Sequence, residues 1–418
     1  MTGTADSVAV MSFDIRPLQA QDVLAFRAAI SANFGYDLDP EDEASAAHFD
    51  AVFASDRMYP AFDGDVIVGT GGDFRLEMTV PGGNQVVTSG LTVITVRPTH
   101  TRQGVLTAMM RQHFQQAMDR GEALGALWAS EVPIYGRFGY GSSVDMKDVK
   151  LDARQAGRGG NEDGVTVRLV DSAEAERLLP GMFAKAQAKR PAMYTRGADW
   201  WTHRLFVDPE KHRGGASALR HAVAESNGEP VGYVTYRQKA SWDLLSEGEI
   251  RIRELIPTTD AGYRALWHYV LNIDLFPIVK YWNTPADDPL TSLVHDGRAV
   301  ETKVSDGLWT RLIDVPAALE QRKYSRDGKL TFGLSDSFCD WNEGTYRMTV
   351  SKGVGRCERV ATESEVALDV STLGALYMGG RDAHALARAG RIAGTQKAID
   401  RLNEMFRGLP QPWCAEIF

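Results

Sequence analysis

Apolar residues along the chain keep two rhythms, an alternation typical of strands and a three-to-four-residue repeat typical of helices. Residues 12–16 read as a short strand and 22–33 as a helix with Val23, Phe26 and Ile30 on one face. Small and acidic residues at 37–47 mark a loop and a helix start. Residues 59–62 and 66–80 read as strands paired around Asp63-Gly64-Asp65, because Asp-Gly favours a tight hairpin. Pro81-Gly82-Gly83 turns the chain into a strand at 86–96. A helix follows at 105–120, with Leu106, Met109, Met110, Phe114, Ala117 and Met118 at helical spacing and Gly121 as its stop. A strand at 126–130 then leads into a Tyr-rich glycine turn.

Past a polar, Gly-rich linker at 154–165, the same plan repeats. A helix at 173–188 precedes a hairpin centred on Gly228, and HAVAESNGEPVGYVTYR parallels YPAFDGDVIVGTGGDFR. Next, EIRIRELIPTTDAGYRALWHYVL parallels LTVITVRPTHTRQGVLTAMMRQHF: strand, Pro-Thr, turn, helix. A third region begins near Asp306. Its pattern is α+β, with strands at 308–313, 329–334, 346–351 and 365–369 and helices at 316–322, 370–377, 383–389 and 396–406. The division read from this pattern is 1–155, 156–303 and 304–418.

Length supports that division, since 418 residues ask for two or three cores. Apolar content of 44% and charged content of 24% are those of a soluble globular protein. A formal net charge of -9 argues against nucleic-acid partners and leaves a mild preference for cationic ones. Cys339, Cys357 and Cys414 are widely spaced and form no CxxC pair, which fits a reducing cytoplasm and no disulfide framework. The histidines show no paired metal spacing, so no metal is expected. No basic region followed by an apolar block opens the chain, and no run approaches about 18 apolar residues, so no membrane association is expected.

Candidate chemistry concentrates in residues 91–141. The turn Thr99-His100-Thr101-Arg102-Gln103-Gly104 lies between a strand and a helix. Gly104 allows close backbone approach, helix-start N–H groups point outward, and Arg102 supplies a permanent cation: the elements of a pyrophosphate site. The corresponding turn of the second copy has Asp260 and no arginine, and a carboxylate there repels phosphate. That copy reads as a duplicate without a cofactor. The strand after the helix delivers Tyr135 toward the ligand's reactive end.

The segments VRPTHTRQGVLTAMM and WASEVPIYGRFGYG resemble the GCN5-related N-acetyltransferases (GNAT), and specifically the enhanced intracellular survival (Eis) family. MTVPGG at 78–83, DGLWTRLIDVPAALEQRKY at 306–324 and the bare C-terminus extend the resemblance over essentially the whole chain. It implies tandem GNAT domains, the second degenerate, followed by a sterol-carrier-like α+β domain, assembled as a homohexamer. It also implies acetyl-CoA as co-substrate, with backbone atoms of Val93, Ile94 and Val96 on the pantetheine and acetyl group. Thr101, Arg102, Gln103 and Gly104 would hold the pyrophosphate.

By the same resemblance Tyr135 is the general acid that protonates the departing thiolate. An alkyl amine is mostly protonated near neutral pH and needs a base, and the family's base is the C-terminal carboxylate, here of Phe418. Ser130 and Glu131 would line the substrate site, with Glu131 the alternative base; Phe34, Tyr36 and Asp37 are candidates for the pocket wall. The sequence departs from the family pattern at Thr101, where a first arginine is usual, at Tyr36, where a carboxylate is usual, and at Ile417, where some members have Glu. The expected activity is N-acetylation of aminoglycoside-like polycationic small molecules. A protein lysine or a metabolic amine is the alternative acceptor, and a lipid-binding or acyl-CoA-sensing module is the reading from a different class.

Overall fold

A computed structural model describes residues 13–157 and 164–418. The first twelve residues and the central part of the 154–165 linker lie outside the described residues. Among those described, no helix is long and apolar enough to cross a membrane.

The first sheet has seven strands in the order Asp14–Ile15, Ala61–Asp63, Val66–Thr79, Gln85–Val96, Leu124–Trp128, Leu308–Leu312, Gly141–Ser142. The helix Val105–Asp119 crosses over one of its faces, burying Val105, Met109, Met110, Phe114 and Ala117 along a single stripe. That stripe is what the helical spacing in the sequence encodes. The second sheet repeats the order: Thr166–Val170, Arg220–Ser226, Glu229–Lys239, Glu249–Pro257, Ile278–Pro285, Asp145–Asp152, Val300–Asp306. Its crossover helix is Asp260–Leu271.

The sixth place in each sheet is filled from outside its own segment of sequence. Leu308–Leu312, expected in the third domain, pairs antiparallel with Leu124–Trp128 in the first sheet. Asp145–Asp152, expected in the first domain, pairs with both Ile278–Pro285 and Val300–Asp306 in the second. Divisions at 155 and 303 therefore do not follow the sheets. The physical reason is that an open parallel strand edge with buried flanks must be covered, and each half covers the other's.

The third sheet has five strands, Val354–Arg359, Gly344–Ser351, Gly328–Ser335, Val366–Asp369 and Ile392–Gly394. Its helix Val370–Tyr377 packs directly on the first sheet, where Thr310 donates a hydrogen bond of 2.8 Å to the Gly374 carbonyl. A Cβ at Gly141 would sit 1.8 Å from the Ser371 carbonyl oxygen, so this close approach requires glycine there. Much of the glycine-rich turn is thus structural. Tyr140 within it is fully buried, its hydroxyl 3.3 Å from His113.

Candidate acyl-transfer site between the two sheets

The site begins where two parallel strands part. Gln85–Val96 pairs with Leu124–Trp128 only from Thr88↔Leu124 to Gly90↔Ala126. Beyond Gly90 the strands diverge, and the edge of residues 91–96 faces a gap. On the other side of the same strand a bulge interrupts pairing with Val66–Thr79: Thr70 faces Thr95 and Gly72 faces Thr92, leaving Val93 and Ile94 opposite Gly71. Val93 takes φ 46°, a left-handed conformation rare for a β-branched residue. The Thr70 hydroxyl fixes it by donating to the Val93 carbonyl at 2.7 Å. Strain held by specific bonds next to a cleft is typical of functional backbone.

A cavity of about 430 Å³ occupies the gap. Its walls include Leu91, Val93 and Ile94 from the splayed strand, Ser130 and Tyr135 from the turn after Leu124–Trp128, Phe34 from the N-terminal helix, and Ile417 and Phe418 from the chain end. Six of the residues expected at the site therefore meet around one space: Phe34, Val93, Ile94, Ser130, Tyr135 and Phe418. Tyr36, Asp37 and Glu131 do not join its wall and are exposed. Val96 lies farther along the strand, outside the wall.

Thr101, Arg102, Gln103 and Gly104 are exposed beyond the end of the splayed strand. Arg102 has φ 64° and Gly104 φ 92°. These conformations turn the chain into Val105–Asp119, and no side chain caps that helix N-terminus. Thr101 donates to the Pro98 carbonyl at 3.0 Å, and Gln103 to Thr99 at 2.9 Å, which braces the turn. Open helix N–H groups beside Arg102 form an anion-binding geometry.

Tyr135 is buried. Burial pushes its phenol above the ordinary tyrosine value; a hydrogen bond with Ser130 pulls the other way, and the charge of Glu131 adds to the rise. A phenol so placed keeps its proton near neutral pH. The Phe418 ring lies against the point of strand separation, its edge 3.0 Å from where a Gly90 Cβ would be. It also meets Phe74 and Tyr194 edge-on at 6.4 and 5.6 Å between ring centres.

Trp128, Met146, Trp282 and Asp306 are among the wall residues not anticipated from the sequence. Met146, Trp282 and Asp306 come from the second sheet, so the cavity is a joint product of the two halves. The Asp306 carboxylate accepts a hydrogen bond of 2.7 Å from the Trp309 indole, and Trp128 and Trp282 lie 6.2 Å apart. No local motif marks these residues; a reading of the exchanged strand at 145–152 would have pointed to them.

Behind the site, Asp73, Glu122 and Arg57 are buried together, the partly exposed Arg120 pairs with both carboxylates, and Arg57 donates to Glu122 at 2.9 Å. Burial opposes the charge on Asp73, but His113, Arg57 and Arg120 together hold its carboxyl down to about 2. Among the described residues no group of three His, Cys, Asp or Glu is placed to hold a metal.

Known proteins resemble all three parts of the chain. Residues 14–143 and 192–312 each match an acetyltransferase (GNAT) domain, and residues 315–415 a sterol carrier protein domain. An uncharacterized N-acetyltransferase of Streptomyces avermitilis is 36% identical over 98% of this chain and 100% of its own length. The N-acetyltransferase Eis of Mycobacterium bovis is 32% identical over 79% of this chain and 80% of its own. Among solved structures, Eis1 of Mycobacterium abscessus superposes with a TM-score of 0.83 at 30% identity, covering 97% of this chain and 100% of that one. A GCN5-related N-acetyltransferase of Anabaena variabilis superposes at 0.84 with 17% identity, a likeness of fold alone. Two acetyltransferase sheets, a sterol-carrier-like third domain and 32–36% identity to N-acetyltransferases over 79–98% of its length place the chain in the Eis family of GCN5-related N-acetyltransferases.

Proposed function

We propose that the chain transfers the acetyl group of acetyl-CoA to an amine of a small polycationic acceptor of the aminoglycoside-like class. The observation that carries this reading is the meeting of the splayed strand, Tyr135 and Phe418 around one cavity. The widened strand edge suits a pantetheine arm, and the uncapped turn at Arg102 and Gly104 suits its pyrophosphate. Acetyl-CoA supplies the activated acyl group. The acceptor ammonium loses a proton to the Phe418 carboxylate and the free amine attacks the thioester carbonyl; the C–S bond breaks, the Tyr135 hydroxyl gives its proton to the departing sulfur, and the excess N–H proton of the acylated nitrogen returns to the Tyr135 oxygen.

Support for a cationic acceptor comes from the wall itself. Asp306 places a carboxylate at the cavity, and Trp128, Trp282 and Phe34 offer aromatic faces to an ammonium group. An acetyl-CoA consumption assay across aminoglycoside-like polyamines, lysine peptides and small metabolic amines tests the reading. The expected result is highest kcat/KM for the polyamines. Turnover confined to lysine peptides would replace the acceptor, and tight lipid binding without acetylation of any amine would replace the reaction. Assembly as a homohexamer is part of the proposal, and light scattering checks it.

A further inference from the structure

The second sheet carries its own version of the cleft, and the chain's C-terminal segment occupies part of it. A cavity of about 670 Å³ lies between its splayed strand and crossover helix; Leu255, Ile256, Tyr281, Pro410 and Trp413 are among its walls. Trp413 is buried among Met182, Phe183, Met193, Tyr233 and Ile256. Its backbone N–H donates to the Pro191 carbonyl at 2.9 Å, and its indole N–H is shared between the Asn283 carbonyl and side-chain oxygen at 3.2 and 3.1 Å. Asn283 in turn donates to the Cys414 carbonyl at 2.9 Å.

Next comes Glu416. Its Oε1 accepts from Arg196 Nε at 2.5 Å and from the Trp200 indole at 3.0 Å. Arg196 is completely buried, pairs with Glu254 of the splayed strand at 2.9 Å, and lies 3.7 Å over the Phe183 ring. Arg204 then donates to the Ile417 carbonyl at 2.9 Å. Each of these hydrogen-bonding partners outside the segment belongs to residues 191–283, yet Ile417 and Phe418 line the cavity of the other sheet. The segment is a strap: gripped by one half, it presents its last residue to the other.

We propose that the degenerate second cleft is the seat of the chain's own C-terminal strap, and that Glu416, held by Arg196 and Trp200, is the positioning residue that sets the Phe418 carboxylate in the transfer cavity. This rests on the reading of that carboxylate as base. A terminus otherwise frays, and a base misplaced by about 1 Å loses much of its effect. Glu416 touches neither substrate in this scheme; its action passes through two peptide units.

The test compares Glu416→Gln and Trp200→Phe in the full chain. Trp200→Phe keeps an aromatic ring beside Phe74, Tyr194 and Arg204 while removing the indole donor and part of the ring volume. Steady-state kinetics are read together with the rate at which carboxypeptidase releases Phe418 from the folded protein. Glu416→Gln should lower kcat about tenfold with KM for acetyl-CoA unchanged, and speed release of Phe418 about tenfold. Trp200→Phe should do the same to a smaller extent, and the double variant no more than Glu416→Gln, because both changes act on one contact. Release at the parent rate in both variants overturns the seat. Faster release with unchanged kcat, in a protein that a C-terminal glycine extension inactivates, overturns the positioning role. Normal turnover in the extended chain itself removes the carboxylate as base, and release rates then judge the seat alone.

Discussion

Each of the two acetyltransferase sheets contains a parallel strand pair that parts after a few residues, and each has one extra residue bulged out of the longer strand. In the first the bulge is at Val93–Ile94; in the second it is Arg253, between Ile252 and Glu254. The differences lie in what meets the exposed backbone. With Pro98 and Pro257 aligned, Leu255 stands in the place of Val96. The Leu255 N–H is taken by the Tyr281 hydroxyl at 3.0 Å, whereas no side chain is bonded to the Val96 N–H among the described residues. Thr259 caps the second crossover helix by accepting from Gly262 N–H at 3.0 Å, and Asp260 adds a charge in its first turn. The first helix start is bare and follows a glycine. The second copy has not collapsed: the parted strands and the bulge persist, but the Leu255 and Gly262 N–H groups have been given internal partners.

Substitutions in the two halves test that contrast. The largest effect expected is that of Tyr135→Phe, which should lower kcat by about 10²–10³-fold in a folded protein, the range of a lost general acid. Stopped assays at saturating acetyl-CoA measure it, and near-parent turnover removes Tyr135 from the reaction.

Next is the buried charge cluster behind the first cleft. Asp73→Asn leaves Glu122 as the one carboxylate shared by Arg57 and Arg120, and should cost about 3 kcal/mol of unfolding free energy at pH 7. Because the folded carboxyl titrates at about 2, below its ordinary 3.8, its contribution is complete above pH 4. It is lost as pH falls through the interval from about 4 to 2. Urea midpoints at pH 7 and near pH 3 should show the gap between parent and variant narrowing.

Gly104→Ala adds no clash but forces a Cβ onto φ +92°. A penalty of about 1–2 kcal/mol should appear as a roughly tenfold rise in KM for acetyl-CoA, with kcat little changed. Thr259→Ala, its counterpart in the second copy, should cost about 1 kcal/mol of stability through the lost cap and leave that KM where it was. Equal effects of the two substitutions on acetyl-CoA would erase the distinction between the clefts.

The smallest change is expected at Asp288, beside the second cleft. Burial raises its carboxyl above the usual range, against hydrogen bonds from Tyr263 and the Leu290 N–H. A raised acid is a burden once pH exceeds its unfolded pKa, so Asp288→Asn should leave the unfolding midpoint at pH 7 equal or slightly higher. A loss comparable to Asp73→Asn would mean that the second half relies on its buried acid as the first does.

Much of this organisation is legible in the sequence because the duplicated segments share strong local signals: alternating runs, Pro-Thr turns and a helical stripe through Met109, Met110 and Phe114. The candidate acid, strand and chain end could be named because they sit in such segments. The strands Asp145–Asp152 and Val300–Asp306 escaped because both are rich in charged and polar positions and bury only one or two side chains, Val149 and Leu151 in the former and Val300 in the latter. Alternation there is too weak to distinguish strand from loop. Those strands, together with Ile278–Pro285, bring Met146, Trp282 and Asp306 to the cavity, so its second wall stayed hidden. Leu308–Leu312 was readable as a strand because all five residues are buried, but sequence order put it with the wrong sheet. Pairing across such distances has no local signature.

The exchanged strands also set a timetable for synthesis. Six strands of the first sheet have been made once Ser142 emerges, but the strand that joins Leu124–Trp128 to Gly141–Ser142 arrives only at Leu308. At about 5–20 residues per second the ribosome takes on the order of ten to thirty seconds to supply it. During that interval the edge of Leu124–Trp128 stands open, with Leu124, Ala126 and Leu127 looking for partners. Completion of the first sheet must therefore wait until most of the molecule has been translated.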